Sequence, residues 1–392
     1  MIKYQRKLDR IIFLLGTLFF LISIQLLISN KIIEYIIFIF RGILFIKLFF
    51  YVINLKKQFF WIYLLLFTYY LFYGLVNSNF FSFIIMDILS AFYIIFLFFI
   101  NNQNKEYVTK IILNIISIIL GFAFIFSLIY LSVYGFRPAE VIGERIMFEE
   151  RGSNFKLLYQ SIGLSIVLLP FVWFVDFKRK LAIGLAFTLF TVINLISLSR
   201  GYLAGSLVSI LITIYIGFKL NIIGLRYSVI SYSSIILFSL LFLIKQNKKV
   251  LETTLELLNN RIDLIGNEVE PRDLEAEYYF NDLSTYELFF GKGMGAANYK
   301  PFGKTSKRGI MMMHRGENNL IMKGGILLLL IIYGLAIYAI FKLFFSNDIY
   351  SNSWASVIFI FLLLERGHQQ FSNAFMLILF CMAISYSFSL KK

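Results

Sequence analysis

Hydrophobic residues in this chain are gathered into runs that short polar segments separate. The runs are about 17–23 residues long, which is the length that a helix needs to cross a ~30 Å hydrocarbon layer. Twelve of them are predicted membrane spans: 11–29, 32–53, 58–76, 81–100, 108–131, 157–175, 181–198, 202–218, 227–244, 318–341, 354–364 and 371–389. The pattern predicts an all-α integral membrane protein of one polytopic domain, with a long hydrophilic loop at 245–316 between the ninth and tenth helices.

Composition agrees with this class of protein. Of the 392 residues, 59% are hydrophobic and 15% are charged, whereas soluble domains average about 25% charged residues. The first run follows MIKYQRKLDR without a small-residue cleavage site, so we expect a retained helix and not a removed signal peptide. Cys381 is the only cysteine, so no disulfide is expected within the chain. No closely spaced set of His, Cys and carboxylates occurs, and we expect no metal and no cofactor.

The formal charge of +15 indicates orientation in a membrane and not nucleic-acid binding. If the N-terminus is cytoplasmic, the inner segments hold sixteen Lys and Arg residues, and the short outer segments hold seven. Lys and Arg favour the cytoplasmic side. We therefore expect a multi-pass membrane protein with both termini in the cytoplasm, an extracytoplasmic loop at 245–316, and some attraction to anionic lipid.

The long loop is divided by charge. Residues 250–290 hold ten acidic residues and show helical spacing, which predicts short amphipathic helices over the membrane face. Residues 291–316 are basic and glycine-rich, and we expect an irregular segment that is either a solvated loop or a cover over phosphate. The stretch GKGMGAANYKPFGKT at 291–305 is not a P-loop, because Asn298 stands where the first glycine of that motif is required.

Several ionisable residues fall inside or beside the predicted spans. Asp87, Arg200, Glu317 and Lys323 lie in the outer halves of their helices, and Arg41 lies nearer the middle. Such groups are costly in a bilayer and line polar cavities or pair with one another. For Arg41 and Asp87 a structural ion pair and a role with substrate stay open. For Arg200 a functional role is favoured, because a guanidinium matches the oxygens of phosphate.

The chain has two histidines, His314 in MMMHRGENN and His368 in ERGHQQ, both at the outer ends of predicted helices. A histidine can accept a proton near neutral pH and so activate a sugar hydroxyl. A lone histidine at a helix end is more often an interfacial polar residue. The neighbouring Arg315 and Glu317 make His314 the stronger candidate.

These segments resemble the bacterial O-antigen polymerase and ligase family, which includes Wzy-type polymerases and WaaL-type ligases. The resemblance is carried by SLSRG at 197–201, the long outer loop, Arg272 followed by ELFFGKGMG, and HRGENNLIMKGG ahead of an apolar span. It covers nearly the whole chain topologically, and its motifs are short. It implies a GT-C-like fold in the bacterial inner membrane and transfer of a glycan from an undecaprenyl-diphosphate-linked donor.

The resemblance also implies residue roles. Arg200 and Arg272 match arginines that hold the donor diphosphate, and Arg315 and Lys323 are further cations for it. His314, followed eleven positions later by Gly325, keeps the spacing of the proposed ligase base. Glu317 is the rival base, because ENNL aligns equally with polymerases that lack this histidine. The remaining candidate site residues are Arg41, Asp87, Arg366 and His368.

Four functions are therefore weighed. A polymerase that joins lipid-linked repeat units of O-antigen or capsule is favoured, and a ligase that transfers finished glycan to lipid A-core is the alternative. A flippase or other transporter is disfavoured, since no internal repeat is seen. A receptor or structural protein would leave the arginines unexplained. The resemblance implies a flippase and a chain-length regulator as partners.

Overall fold

A computed structural model describes residues 2–25, 31–54, 58–134, 138–142, 145–148, 162–196, 200–221, 276–277, 279–299, 316–368 and 374–390. The helices are α1 Ile2–Gln25, α2 Lys31–Asn54, α3 Gln58–Val76, α4 Phe81–Tyr93, α5 Lys105–Tyr134, α6 Ile162–Phe174, α7 Phe177–Ile196, α8 Arg200–Lys219, α9 Thr285–Phe290, α10 Gly316–Phe344, α11 Ser351–His368 and α12 Ala374–Ser389. Strands β1 Pro138–Ile142 and β2 Arg145–Phe148 form an antiparallel hairpin between α5 and α6.

Helices occupy eleven of the twelve predicted spans, and the ninth span, 227–244, lies outside the described residues. Within the described part of the chain, five helical segments are long and apolar enough to cross a membrane. They are Tyr35–Ile53, Phe81–Phe98, Lys105–Ile129, Tyr202–Lys219 and Gly316–Phe344. Four further apolar helices are shorter: Phe60–Val76, Ile162–Phe174, Ser351–Glu365 and Phe375–Ser389. The protein is thus a helical protein of membrane type.

Two of these helices change their winding along their length. A 3₁₀ turn, Ile94–Phe98, extends α4. In α6, the last part, Leu169–Phe174, is also 3₁₀, and Pro170 stands at its start. Proline has no N–H to donate and its ring crowds the preceding turn, so regular α-helix ends there. The described part of the predicted span at 157–175 is therefore an α-helix that ends in a 3₁₀ segment.

The chain forms two compact units, the first comprising 1–44 and 106–267, and the second comprising 45–105 and 268–392. In the first unit the helices contact one another at small residues. A side chain at Gly16 would begin 3.2 Å from Ile115, and one at Gly163 would begin 3.1 Å from the Phe190 ring. The hydroxyl of Tyr107 donates to Asp9 over 2.7 Å. Close helix packing of this kind is typical of helices in lipid.

The second unit has its core between α11, α12 and the 3₁₀ turn after α4. Trp354 of α11 stacks on Tyr386 of α12 with ring centroids 5.7 Å apart. At the same end of the unit, Asp348 in the turn before α11 accepts hydrogen bonds from Tyr386 and from Lys105, the latter over 3.1 Å. Burial alone would raise the pKa of Asp348, but these bonds and one from Ser351 hold it below its ordinary value.

Candidate functional site

Helix α10 is broken near its beginning, at Gly325. This residue has φ 68° and ψ −175°, which is outside helical geometry. A break at one position interrupts the three helical hydrogen bonds that span it. The carbonyls released are those of Met322, Lys323 and Gly324. Three backbone acceptors in the interior of a helix therefore need donors from elsewhere.

The donors come from the stretch GKGMGAAN, residues 291–298, which we call the glycine segment, and from α3. The N–H of Lys292 donates to the carbonyl of Met322 over 2.9 Å, and the N–H of Gly293 donates to the carbonyl of Lys323 over 2.9 Å. The hydroxyl of Tyr70 donates to the carbonyl of Gly324 over 3.0 Å. All three acceptors that the break releases are thereby satisfied.

This contact requires glycine on both sides. Gly291 has φ 74°, and a Cβ there would lie 2.4 Å from the backbone of Lys323 and Gly324. A Cβ on Gly325 would lie 2.1 Å from the carbonyl oxygen of Phe289. Both distances are far below van der Waals contact, and both residues use the left-handed φ that favours glycine. The backbones of α9, the glycine segment and α10 can approach this closely only because these side chains are missing.

Further hydrogen bonds attach the glycine segment to α3 and to the turn that follows it. The N–H of Met294 donates to the carbonyl of Tyr70 over 3.0 Å. The Asn79 amide donates to the carbonyls of Lys292 and Met294, each over 2.9 Å. Seven of the eight residues of the segment are buried, Lys292 being the exception. The expectation of a solvated loop is therefore wrong for 291–298, because its glycines pack against helix backbones.

A buried ion pair lies beside the break. Asp87 of α4, whose side chain is 8% exposed, accepts a hydrogen bond from the ammonium of Lys323. Its other carboxylate oxygen accepts the N–H of Gly295 over 2.7 Å. The Asp87 carboxylate thus binds the glycine segment and α10 at once. Of the two roles left open for Asp87, the structure displays the ion pair.

Helix α9, which precedes the glycine segment, begins with a capping box. Ser284 and Glu287 exchange side-chain and backbone hydrogen bonds at its N-terminus. Burial alone would raise the pKa of Glu287, but the bonds with Ser284 and the charge of Lys292 hold it lower. The Lys292 ammonium lies 3.6 Å from Glu287 and 5.6 Å from the centre of the Tyr279 ring. Glu287 therefore has a local structural role in this fold.

The other predicted site residues are only partly located. Glu317 lies half-buried in the first turn of α10, and Arg41 lies half-buried in α2. Arg200 is the first residue of α8, in the other unit. Arg366 and His368 are in the last turn of α11. Residues Arg272, His314 and Arg315 lie outside the described part of the chain. Asp87 and Lys323 are the predicted site residues that the described structure brings into contact.

Sequence reasoning missed Glu365, which is buried in α11. A Cβ on Gly316, the first residue of α10, would lie 1.4 Å from its carboxylate oxygen. The carboxylate therefore lies against the beginning of α10, next in sequence to Arg315. The signal was available, since Glu365 is a single acidic residue at the end of an apolar run.

Within the described residues, no three His, Cys, Asp or Glu side chains form a group that could hold a metal ion. The chain matches no model of a protein family, no curated protein and no solved structure. Function must therefore be argued from the residues themselves.

Proposed function

We propose that this protein is a membrane glycosyltransferase that polymerises lipid-linked repeat units of a surface polysaccharide on the outer face of the inner membrane. The observation that carries the proposal is the contact between ELFFGKGMG and the ENNLIMKGG part of the second motif. The sequence resemblance selects these two motifs, which stand about 30 residues apart, as parts of one site. In the structure, Gly291 lies against Lys323 and Gly324, and Gly325 lies against Phe289.

The reaction that we propose transfers a glycan from undecaprenyl diphosphate to a sugar hydroxyl. The hydroxyl oxygen of the lipid-linked acceptor forms a bond to the anomeric carbon of the donor. The bond from that carbon to the diphosphate oxygen breaks, and its electron pair leaves with the diphosphate. The hydroxyl proton passes to a base, for which His314 and Glu317 are the candidates. Cations stabilise the charge that develops on the leaving group.

Arginines are the proposed diphosphate ligands. Arg200 and Arg272 hold this role by the resemblance, and Arg315 is a third cation beside the candidate base. For Lys323 we favour a structural role, because its ammonium is hydrogen-bonded to Asp87. The spacing between His314 and Gly325 is only weak support for a ligase. The fold itself requires glycine at position 325, so this glycine would be present whether or not the histidine is a base. The polymerase thus stays the preferred member of the two.

The broken helix also argues against a transporter. Transporters of several folds use the free backbone groups of broken helices to bind substrates or ions near the middle of the membrane. In this chain, the three carbonyls that the break at Gly325 releases accept hydrogen bonds from Lys292, Gly293 and Tyr70. The backbone groups at the break therefore hold segments of the protein together and are not available to a transported substrate. This supports a fixed site over an alternating-access mechanism.

The test is the surface glycan of a strain that lacks the gene, complemented with variants and resolved on a gel together with the lipid-linked pool. We expect single repeat units on the surface without the gene, and long chains when wild type is restored. Long chains retained on the lipid carrier would instead indicate a ligase. Single units trapped on the inner face would indicate a flippase. An unchanged profile would refute a role in this pathway.

Arg200→Ala should abolish polymer while the amount of protein in the membrane stays near that of wild type. The matched control is Arg179→Ala, because Arg179 forms an exposed pair with Asp176 over 2.8 Å. Such surface pairs contribute only about 0–1 kcal/mol. Full polymer from Arg200→Ala would remove the diphosphate role from this residue.

A further inference from the structure

Two buried hydrogen-bond donors in the second unit have no protein partner among the described residues. They are the hydroxyl of Tyr279, a residue that is 5% exposed, and the amide nitrogen of Asn318, a residue that is 6% exposed. Buried polar groups in folded proteins are nearly always hydrogen-bonded, and an exception has a cost that calls for an explanation. Because these two donors without protein partners are near each other, one ligand could accept hydrogen bonds from both.

The two donors are grouped around Met322 of α10. Tyr279 packs on Met322 and on Ala296 of the glycine segment in one buried cluster. Asn318 precedes Met322 by one helical turn, on the same face of α10, because residues four apart are neighbours on a helix. This face lies in the part of α10 before the break, directly after Glu317. Asn318 is therefore next to Glu317, one of the two candidate bases, on the same helix, and Tyr279 contacts that helix through Met322.

The charge of the surroundings indicates what these donors would bind. Burial raises the pKa of the Tyr279 hydroxyl, which stays protonated and able to donate. The nearby ammonium of Lys292 is already paired with Glu287 over 3.6 Å. Because that positive charge is compensated, the cluster offers neutral donors and little attraction for phosphate. Uncharged oxygens, such as sugar hydroxyls or acyl carbonyls, suit this arrangement.

We propose that Tyr279 and Asn318 form a sugar-binding subsite, in which they donate hydrogen bonds to uncharged oxygens of a saccharide ring. The proposal deepens the glycosyltransferase function and rests on it for the identity of the saccharide. The subsite holds the sugar beside the beginning of α10, where the acceptor hydroxyl would meet its base. Both residues bind the saccharide directly, and the base and the diphosphate ligands are assigned to other residues.

Matched pairs of buried residues make the proposal testable. Tyr70 is as buried as Tyr279, but its hydroxyl donates to Gly324 over 3.0 Å. Asn104 is as buried as Asn318, but its amide donates to Tyr51 over 3.0 Å. Tyr279→Phe and Asn318→Leu should keep or raise the unfolding temperature of the purified full-length protein, since they remove donors without protein partners. Tyr70→Phe and Asn104→Leu should lower it.

Binding should show the opposite pattern. The probe is the repeat-unit oligosaccharide of the source strain, released from its lipid diphosphate by mild acid, and inorganic diphosphate is the comparison ligand. We expect the oligosaccharide to bind Tyr279→Phe and Asn318→Leu about 3- to 10-fold more weakly than wild type, the loss expected for one neutral hydrogen bond. Tyr70→Phe should bind as wild type does at temperatures where it is folded. Binding of inorganic diphosphate should not depend on Tyr279 or Asn318.

Three outcomes would overturn the subsite. A lower unfolding temperature for Tyr279→Phe would mean that the hydroxyl stabilises the fold through water or protein. Unchanged oligosaccharide binding by both variants would mean that they touch no sugar. Weaker binding of diphosphate would place phosphate in the subsite instead. Oligosaccharide binding that depends on Tyr279, with an unchanged glycan profile in the deletion strain, would keep the subsite and refute the polymerase.

Discussion

At the scale of single residues, two glycines of α10 differ in whether there is room for a side chain. Gly325 has a left-handed φ of 68°, and a Cβ there would lie 2.1 Å from the carbonyl oxygen of Phe289. Gly334, in the same helix, has no atom within 4 Å of the position that a Cβ would take. The same substitution should therefore have opposite effects at the two positions, although both look alike in an apolar helical sequence.

We expect Gly325→Ala to remove folded protein from the membrane or to lower its unfolding temperature strongly, because both φ and the backbone contact exclude a side chain. Gly334→Ala should leave stability unchanged or raise it by about 0.5–1 kcal/mol, since alanine is favoured over glycine within a helix. Fluorescence-detected size exclusion after heating measures both variants. Equal stability of the two proteins would contradict the close packing of α9 against α10.

The residues of the candidate site and the contacts between them are only partly predictable from sequence. Asp87 and Lys323 could be selected as candidates because charges are rare in apolar runs. Their pairing could not be predicted, because 236 positions separate them. Tyr279 gave no signal at all, since a tyrosine in an amphipathic segment is ordinary. The absence of a partner for its hydroxyl is a property of the packed structure alone.

At the scale of elements, the Asp87–Lys323 pair joins α4, α10 and the glycine segment. Removing one member of a buried pair leaves the other charge uncompensated, at a cost of about 3–5 kcal/mol. Replacing both members by neutral residues of similar size costs much less. Asp87→Asn and Lys323→Met should each lower stability strongly, and the double variant should recover much of the loss.

A double-mutant cycle measures this coupling from unfolding midpoints in detergent. Asp87→Asn also weakens the acceptor of the Gly295 N–H, so we expect it to cost more than Lys323→Met. The exposed pair of Arg179 and Asp176 serves as the control cycle, with a coupling of about 0–1 kcal/mol. Additive effects at Asp87 and Lys323 would show that the two side chains do not stabilise the fold as a pair.

The elements differ in how far the sequence predicts them. The long apolar runs correctly predict eleven helices, because in an apolar environment a helix lets the chain hydrogen-bond its own backbone N–H and C=O groups. The break in α10 has a weak local sign in Gly324–Gly325, and this pattern is equally compatible with an unbroken helix. What distinguishes the two cases is the glycine segment, which supplies N–H donors from about 30 residues upstream. The irregular backbone of that segment was predictable, and its burial was not.

At the scale of the whole molecule, the contacts agree with the distribution of charge along the chain. Segments 101–110 and 342–353 are predicted on the same, inner side, and the structure pairs Lys105 with Asp348 over 3.1 Å. Segments 77–80 and 291–299 are predicted on the outer side, and Asn79 binds the carbonyl of Lys292 over 2.9 Å. These contacts support the alternation of helices in the second unit. Which end faces the cytoplasm stays a prediction.

Cysteine labelling can decide this orientation, because the chain is suited to it. Its only cysteine, Cys381, is buried and 2% exposed, so the background reaction should be low. From the break at Gly325 to its last residue, Phe344, helix α10 is about 30 Å long, which matches the ~30 Å of a hydrocarbon layer. Thr285 is the first residue of α9, whose Phe289 lies against Gly325, and Asn347 follows the end of α10; both are exposed. They should therefore lie on opposite sides of a membrane.

We expect Thr285→Cys to react with a membrane-impermeant maleimide in cells whose outer membrane has been made permeable. Asn347→Cys and Asn102→Cys, both at the predicted inner end, should react only after the inner membrane is opened. The reason is the excess of Lys and Arg in the inner segments, which are retained on the cytoplasmic side. Each variant is first shown to restore surface glycan, so that labelling reports on a functional protein. The reverse pattern would place the glycine segment and the beginning of α10 in the cytoplasm, away from an extracytoplasmic lipid-linked donor. That result would refute the proposed polymerase.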